Sequence, residues 1–307
     1  MRNERGVAAI TAILVVAVAA SAATFMLAQH SAMIDQTLLV ASRAQAELYG
    51  DAGLDWARGV LTEDARRAGT VDALGEGWAQ PIVGLPVERA VVAGAIEDEQ
   101  GKLNLNNLVI GGRSDWDFRI LQRLLKELAL APELAEAVMD WIDADQDVSG
   151  NGGAENAYYL SLKRPYRAAN QMLVQIDELY RVRGFDAATI AKLRPHVTAL
   201  PVRTPVNINT ASEAVLAAVL DGKVAPDELA ARLASRRAKP FQSAAEIAQW
   251  VPKADPRTVS GDLAVKSDFF SVRVQVAQDD VQLATEALVQ RNPQNGTTSL
   301  LWRRPLY

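Results

Sequence analysis

The sequence predicts an α+β protein: a long N-terminal helix, a small antiparallel sheet, and a large all-α domain inserted between strands of that sheet. Three observations predict it. The uncharged apolar run Val7–Ala28 continues without proline into a helical pattern. Alternating, strand-like segments lie before residue 113 and after residue 265. Helical periodicity fills the interval, so one sheet is interrupted by an insertion.

This pattern divides the chain into five parts. They are a cleaved leader (1–6), a transmembrane part of the first helix (7–28), the rest of that helix outside the membrane (29–61), the sheet (62–112 and 266–307) and the inserted helical domain (113–265).

The N-terminal run fits a membrane segment. It holds 22 residues without a charge, and roughly 20 apolar residues span the hydrocarbon core of a bilayer. Arg2 and Arg5 precede the run, so the N-terminus is predicted to stay in the cytoplasm. Two interpretations follow. A secretory signal peptide would be cut near Ala19–Ala23, whereas a retained helix would be cut at Gly6.

The residues beyond the run favour the retained helix. Apolar positions recur at steps of three and four as far as Trp56, and the first proline is Pro81. The stripe of such positions is Ile34, Leu38, Ala41, Gln45 (its one polar member), Leu48, Ala52 and Trp56. Residues Val7–Leu61 can therefore form one helix of about 80 Å.

The middle of the chain changes from strand to helix. Short strands are predicted between Pro86 and Asp98, after a glycine-rich loop at Thr62–Gln80. Ser114 is predicted to cap a helix, and Pro132 is predicted to open the next. The apolar face of the first of these helices comprises Phe118, Leu121, Leu124, Leu125 and Leu128.

The C-terminal segment alternates with a period of two. Apolar side chains occupy every second position from Phe270 to Val276, and turns are predicted at Asp279–Asp280 and Asn295–Gly296. The last forty residues therefore predict an antiparallel meander.

Composition limits the function. The net charge of −5 and pI near 5.3 argue against binding to a phosphate backbone. The absence of cysteine excludes thiol and disulfide chemistry. The two histidines, His30 and His196, lie far apart, and the sequence contains no nucleophile elbow, phosphate loop or dinucleotide fingerprint. We therefore predict that the protein is not an enzyme.

An acidic loop is the candidate metal site. Five carboxylates fall within sixteen residues at the predicted end of a helix: Asp140, Asp143, Asp145, Asp147 and Glu155. A helix C-terminus disfavours negative charge unless a cation compensates, and ligands that are all oxygen select calcium. The EF-hand pattern fails, because Val148 stands in place of glycine and Ala154 in place of the last acidic ligand. The alternative is a solvated acidic loop.

The segment Asn207-Ile208-Asn209-Thr210 is similar to the entry of helix–hairpin–helix DNA-binding modules. Thr210 or Ser212 would cap the following helix, with Glu213 completing a capping box. The hairpin that follows holds one glycine and an aspartate, which suits phosphate poorly. The sequence therefore favours a structural role for this motif over nucleic acid binding.

The N-terminus resembles the leader of type IV pilins and type II secretion pseudopilins in the pattern Arg5-Gly6, then Val7-Ala8-Ala9-Ile10-Thr11. The resemblance implies cleavage by a prepilin peptidase between Gly6 and Val7 and N-methylation of Val7. The family usually carries glutamate where this chain has Thr11, and a minor pseudopilin of type II secretion shares that departure. A subunit without this carboxylate suits the outermost position of a filament.

As a minor pseudopilin, the protein would be a single-pass inner-membrane protein with its bulk in the periplasm. The resemblance implies a long helix packed on the sheet, calcium binding, and partners among the other minor pseudopilins, of the I and J types. Thr11, Ile34, Leu38 and Leu48 would serve assembly. The implied role is to cap the tip of the pseudopilus and help initiate its assembly for export of folded proteins. The alternative is a membrane-anchored periplasmic module that binds DNA or interacts through calcium.

Overall fold

The computed structural model describes residues 4–67, 71–251 and 255–306. Met1–Asn3, half of the predicted leader, lie outside these residues. The helices within them are α1 (Glu4–Arg67), α2 (Asp115–Glu127), α3 (Leu134–Ile142), α4 (Asn156–Leu160), α5 (Ala187–Leu193), α6 (Glu213–Val219), α7 (Pro226–Ser235) and α8 (Glu246–Trp250). The strands are β1 (Ile82–Val87), β2 (Ala90–Asp98), β3 (Leu103–Asn104), β4 (Val197–Thr198), β5 (Val206–Asn207), β6 (Leu263–Ala264), β7 (Phe269–Gln278), β8 (Val281–Arg291) and β9 (Thr298–Leu306).

Five strands form one antiparallel sheet in the order β1-β2-β7-β8-β9. β2 and β7 are neighbours over nine residue pairs, from Ala90 opposite Gln278 to Asp98 opposite Phe270, although the whole helical domain lies between them in sequence. The chain thus leaves the sheet at the end of one strand and returns at the start of the adjacent one. The predicted α+β fold with an inserted helical domain is confirmed.

The long helix packs across the sheet through one face. Its buried apolar side chains are those of Ala46, Leu54, Ala57 and Leu61. Opposite them, every second residue of β7 from Phe270 to Val276 is buried, as the alternation predicted. Gly53 lets the helix approach closely, because a Cβ at this position would lie 2.8 Å from Cγ1 of Val274.

The helix ends later than predicted. α1 continues to Arg67, and the predicted loop at Thr62–Gln80 therefore begins with six helical residues and later contains a 3-10 turn at Gly77–Ala79. Tertiary contacts extend the helix: Leu61 is fully buried and Asp64 accepts a hydrogen bond from Arg291.

The helical domain has its own core, distinct from the core beneath α1. Ser114 caps α2 as predicted, since its hydroxyl accepts from the amide of Asp117 at 3.3 Å. α3 begins at Leu134 rather than at Pro132, which lies in the preceding turn, where a missing N–H costs nothing. β3 is only two residues long, and the chain then passes into a 3-10 turn.

Two tight turns fasten one end of the sheet to α1. Tyr49 donates its hydroxyl proton to Glu88 in the β1–β2 turn, with oxygens 2.8 Å apart. Ser42 donates to Asp279 in the β7–β8 turn at 2.9 Å. These contacts lie near the start of the packed part of α1, so this is the end of the sheet that faces Val7–Ala28.

Arg291 fastens the opposite end of the sheet. Its guanidinium donates to Asp64 of α1 at 3.1 Å and to Asp72 at 2.6 Å, and it lies 4.8 Å from the centroid of the Phe270 ring. β2 ends beside this cluster at Asp98, so the helical domain begins at the end of the sheet distal to the apolar segment.

Candidate functional site

The acidic loop after α3 brings together three of the five predicted carboxylates. Ligand oxygens of Asp143, Asp145 and Glu155 all lie within 4.8 Å of one another. Asp143 and Glu155 are buried, at 6% and 2% exposure, whereas Asp145 is exposed. All four carboxylate oxygens of Asp143 and Glu155 are buried without a hydrogen-bond partner among the described residues. Buried carboxylates that lack donors need a cation or a proton.

The raised pKa values in this cluster also indicate that its carboxylates need a cation or a proton. Burial, reinforced by the charges of Asp145 and Asp140, raises the pKa of Asp143 to about 6. Burial together with the charges of Asp140 and Asp143 raises the pKa of Glu155 to about 7. A divalent cation would reverse this preference, because it stabilises the ionised form of each ligand. The donor set contains only oxygen, which fits calcium.

The other two predicted ligands lie outside this group. Asp140 is fully buried, and the amide of Ser149 donates to its two oxygens at 3.1 and 3.2 Å. Asp140 therefore folds the loop back onto α3. Asp147 is exposed, and its amide donates to Asp145 at 2.8 Å, which fixes a turn.

The loop is held against α3 by residues that the pattern of acidic positions did not indicate. Glu136 accepts from the amide of Gly152 at 2.6 Å, and Asn170 donates to the carbonyl of Asp145 at 2.7 Å. Gly153 cannot carry a side chain, because a Cβ would lie 2.3 Å from both Asp140 Oδ2 and the Ser149 carbonyl. Glu136 could have been found by its one-turn spacing from Asp140, whereas nothing in the sequence signals Asn170.

Arg113 lies beside the cluster. Its Nη1 lies 3.8 Å from Asp143 Oδ2, and it also donates to the Ser149 hydroxyl at 2.9 Å. Half of its side chain is exposed and the ion pair is long, so Arg113 leaves both Asp143 oxygens without a hydrogen bond.

The Asn-Ile-Asn-Thr motif forms an internal junction. Asn207 is fully buried and donates to Asp98 at 2.9 Å and to Ser267 at 3.0 Å. Thr210 donates to Asp98 at 2.6 Å, so Ser212, rather than Thr210, caps α6. The side chain of Asn209 exchanges two hydrogen bonds with the backbone of Phe241. These side chains are therefore not available to a nucleic acid.

The same design occurs once more in the chain. Asn104 is the last residue of β3, as Asn207 is of β5. Asn104 and Asn106 bind the backbone of Leu200 through Asn104 Oδ1 and Asn106 Nδ2. β3 pairs in parallel with β4, and β5 pairs in parallel with β6. The helical domain thus consists of two successive units, each opened by an Asn-X-Asn turn and closed by a short parallel strand pair.

Two arginines just after α7 donate hydrogen bonds to other parts of the fold. Arg236 donates to the carbonyl of Ile208 at 2.9 Å, and Arg237 donates to Gln80 at 3.2 Å. Neither side chain is left as a simple solvated cation.

The first part of α1 is the second candidate site. α1 is long and apolar enough from Val7 onward to cross a membrane, by length and composition. Ile34, Leu38 and Leu48 are 59%, 59% and 67% exposed. A helix that exposes apolar residues outside a membrane requires a partner. Thr11 donates to the carbonyls of Val7 and Ala8 within its own helix.

Comparisons with known proteins agree with one another. Two family models described as type II secretion system (T2SS), protein K match residues 101–202 and 206–266, which are nearly the two units of the helical domain. The type II secretion system protein K of Pseudomonas aeruginosa is 32% identical over 94% of this chain and 90% of its own. That of Pectobacterium carotovorum is 31% identical over 95% of this chain and 94% of its own.

A solved structure has the same fold. It is the crystal structure of the GspK-GspI-GspJ complex from the enterotoxigenic Escherichia coli type 2 secretion system. The matching chain has a TM-score of 0.78 and 28% identity, and the match covers 89% of this chain and 99% of that one. The chain with the long exposed helix, the five-stranded sheet and the two-unit helical domain belongs to the type II secretion system protein K family, whose members are minor pseudopilins.

Proposed function

We propose that this protein is the tip subunit of a type II secretion pseudopilus and helps to initiate its assembly. In this role it is a structural component without catalytic activity. It is anchored by Val7–Ala28 in the inner membrane, with the N-terminus in the cytoplasm and the sheet and helical domain in the periplasm.

The position of the helical domain carries the proposal. The domain leaves the sheet at Asp98 and returns at Phe269, the end distal to the apolar segment. Subunits of a helical filament stack along the direction of their long helices. A domain at the distal end occupies the space that a following subunit would take, so the protein can end a filament but cannot lie within it.

Thr11 supports the same position. The resemblance to pseudopilins implies that a glutamate at this place would pair with the methylated amine of the subunit ahead. Here the Thr11 hydroxyl is satisfied by its own helix, at 3.1 Å from the Val7 carbonyl and 3.0 Å from that of Ala8. A subunit with no carboxylate to neutralise has no need of a subunit ahead of it.

The partners we propose are minor pseudopilins of the I and J types, bound through the exposed stripe of α1. Leu38→Lys and Leu48→Lys each place a charge on this stripe. We expect each to reduce recovery of the partner pseudopilins with the tagged full-length chain by tenfold or more, because the lysine must be desolvated in an apolar helix–helix contact.

Gln36→Lys is the matched control for this experiment. Gln36 is exposed and lies about 200° around the helix from Leu38, so the same charge faces away from the stripe. We expect recovery close to that of the unmodified chain. Equal recovery for the Leu38, Leu48 and Gln36 variants would contradict the proposed interface.

Processing at Gly6 tests the pathway itself. In membranes that contain a prepilin peptidase, the mature chain is expected to begin at Val7 with one added methyl group on its amine, as read by intact mass and N-terminal fragmentation. Without the peptidase the chain should begin at Met1. A mature chain that begins near Ala19–Ala23 would instead indicate an ordinary signal peptide and would refute the pilin-type pathway.

We further propose that the acidic loop binds calcium through Asp143, Asp145 and Glu155. The observation that carries this is the pair of buried carboxylates with four oxygens lacking any donor among the described residues. Asp140 and Asp147, also predicted as ligands, shape the loop in the structure. When bound, calcium would offset part of the negative charge of the loop and join α3 to the start of α4.

A further inference from the structure

The sheet face that carries α1 is only partly covered, and the helix leaves a groove on each of its sides. The two grooves differ in chemistry. On the β9 side the walls include Arg43, Glu47 and Arg303. On the β1 side lies a cavity of ≈ 300 Å³ whose walls are almost entirely apolar. We name the latter the β1 groove; it is lined by residues that include Ala52, Trp56, Ile82, Leu85, Val92 and Ile96.

Two large apolar side chains that line the β1 groove are exposed to solvent. Trp56 is 55% exposed on one wall and Leu85 is 49% exposed on the other. Trp56 and Leu85 line the same apolar cavity, and burying such side chains against an apolar partner is favourable because it removes their surface from water. Such a surface marks an interaction site.

The groove continues the exposed stripe of α1. Ala52 and Trp56 are the last two members of the stripe, and both line the groove. Ile34 and Leu38 occupy the same side of the helix about five turns closer to the membrane segment. A partner that lies along the stripe therefore reaches the groove without changing direction.

The membrane anchor identifies the kind of partner. The groove lies about 40 Å along the helix from Ala28, at 1.5 Å per residue. A ligand that covers both the stripe beside the membrane and a groove at this height must itself be long, straight and apolar, and it must rise from the same membrane. The periplasmic part of a second pilin-like N-terminal helix, parallel to α1, meets these conditions.

A second copy of this chain fits less well. At the height of the groove, the other exposed positions of α1 are charged, with Glu47, Asp51 and Asp55. Only the stripe itself is apolar there, so a copy could dock only stripe against stripe. A different subunit, with an apolar face of its own, avoids this restriction.

We propose that the β1 groove is the socket for apolar side chains from the N-terminal helix of one neighbouring minor pseudopilin. The groove thus determines on which side of α1 that neighbour lies. The charged groove on the other side excludes an apolar helix. This inference rests on the proposed function, because it takes the partner to be a pilin-like subunit, and it adds the contact that selects its position.

Two substitutions in one edge strand test the proposal. Leu85→Glu places a carboxylate in the groove. Val83→Glu, two residues away, places it on a side chain that is 84% exposed and does not line the groove. Both are made in the full-length chain, expressed in membranes with the I-type and J-type pseudopilins. Melting temperatures of the purified variants confirm that both are folded.

We expect Leu85→Glu to reduce co-purification of one partner at least tenfold, and Val83→Glu to leave it within twofold of the unmodified chain. Equal recovery with both variants would overturn the socket and leave the proposed function intact. Failure of the unmodified chain to bind either partner would instead overturn the proposed function and the socket together.

Crosslinking identifies the occupant. The chain has no cysteine, so Ala52→Cys places a single thiol in the β1 groove and Thr285→Cys places one in the charged groove. With a short thiol-reactive photocrosslinker, Ala52→Cys is expected to label the N-terminal helix of a partner pseudopilin at least tenfold more than Thr285→Cys does. A product formed with a second copy of this chain, or equal labelling from both grooves, would overturn the inference.

Discussion

Replacing Arg291 with methionine is expected to lower the free energy of unfolding by about 3–5 kcal/mol, since one partner of a buried ion pair is removed while the other remains. Arg291 is 1% exposed and lies between the carboxylates of Asp64 and Asp72. Without it, Asp72 would stay buried with its charge uncompensated. Urea unfolding of the full-length chain, followed by tryptophan fluorescence, measures the change in the free energy of unfolding.

Arg303→Met is the control for this prediction. Arg303 also pairs with an aspartate of α1, Asp51, but both side chains of this pair are exposed to solvent. Exposed pairs contribute about 0–1 kcal/mol, so we expect a change in that range. A similar small change for Arg291→Met would show that the cluster contributes no more than a surface ion pair.

Calcium is expected to raise the melting temperature by roughly 5–10 °C over the value in chelator. A ligand present at about a hundred times its Kd stabilises the folded state by about 2.7 kcal/mol, and each kcal/mol is worth roughly 2–4 °C for a unit of 150–250 residues. Thermal unfolding followed by circular dichroism, with calcium, with magnesium and with chelator, tests the size and the selectivity of the shift.

Two variants make this test specific to the proposed ligands. Asp143→Asn combined with Glu155→Gln should abolish the calcium shift. In chelator it should melt no lower than the unmodified chain, because the substitution removes repulsion between buried carboxylates whose pKa values burial has raised to about 6 and about 7. Asp147→Asn lies outside the cluster and should retain most of the shift. Identical melting curves with calcium and with chelator would refute the site.

Local patterns predicted much of the fold. The alternation from Phe270 to Val276 set the buried face of β7, and the stripe spacing placed Trp56 and Leu38 on one side of α1, because each of these patterns depends on the period of a single element. The end of α1 was placed six residues too early, since its last turns are stabilised by Arg291, which lies more than 200 residues away in sequence.

The sequence predicted a cation site with oxygen ligands in this loop, but only three of the five predicted ligands lie together in the structure. Asp143, Asp145 and Glu155 meet because the loop folds back, and the amide of Ser149 makes Asp140 part of that fold. Which carboxylate faces the centre depends on backbone torsions that residue spacing does not encode. The β1 groove had no signal in sequence, because it exists only where β2 pairs with β7 across the inserted domain.

The two fastenings of the sheet to α1 have a mechanical consequence. Ser42 and Tyr49 hold one end of the sheet, and Asp64 holds the other through Arg291. A force along the helix axis therefore acts on all of these contacts at once, in shear. A force perpendicular to the axis would break them one at a time. Residues 29–41 carry no such contact among the described residues and span about 20 Å at 1.5 Å per residue. They would act as a stiff rod that passes an axial push from the membrane to the folded body without bending.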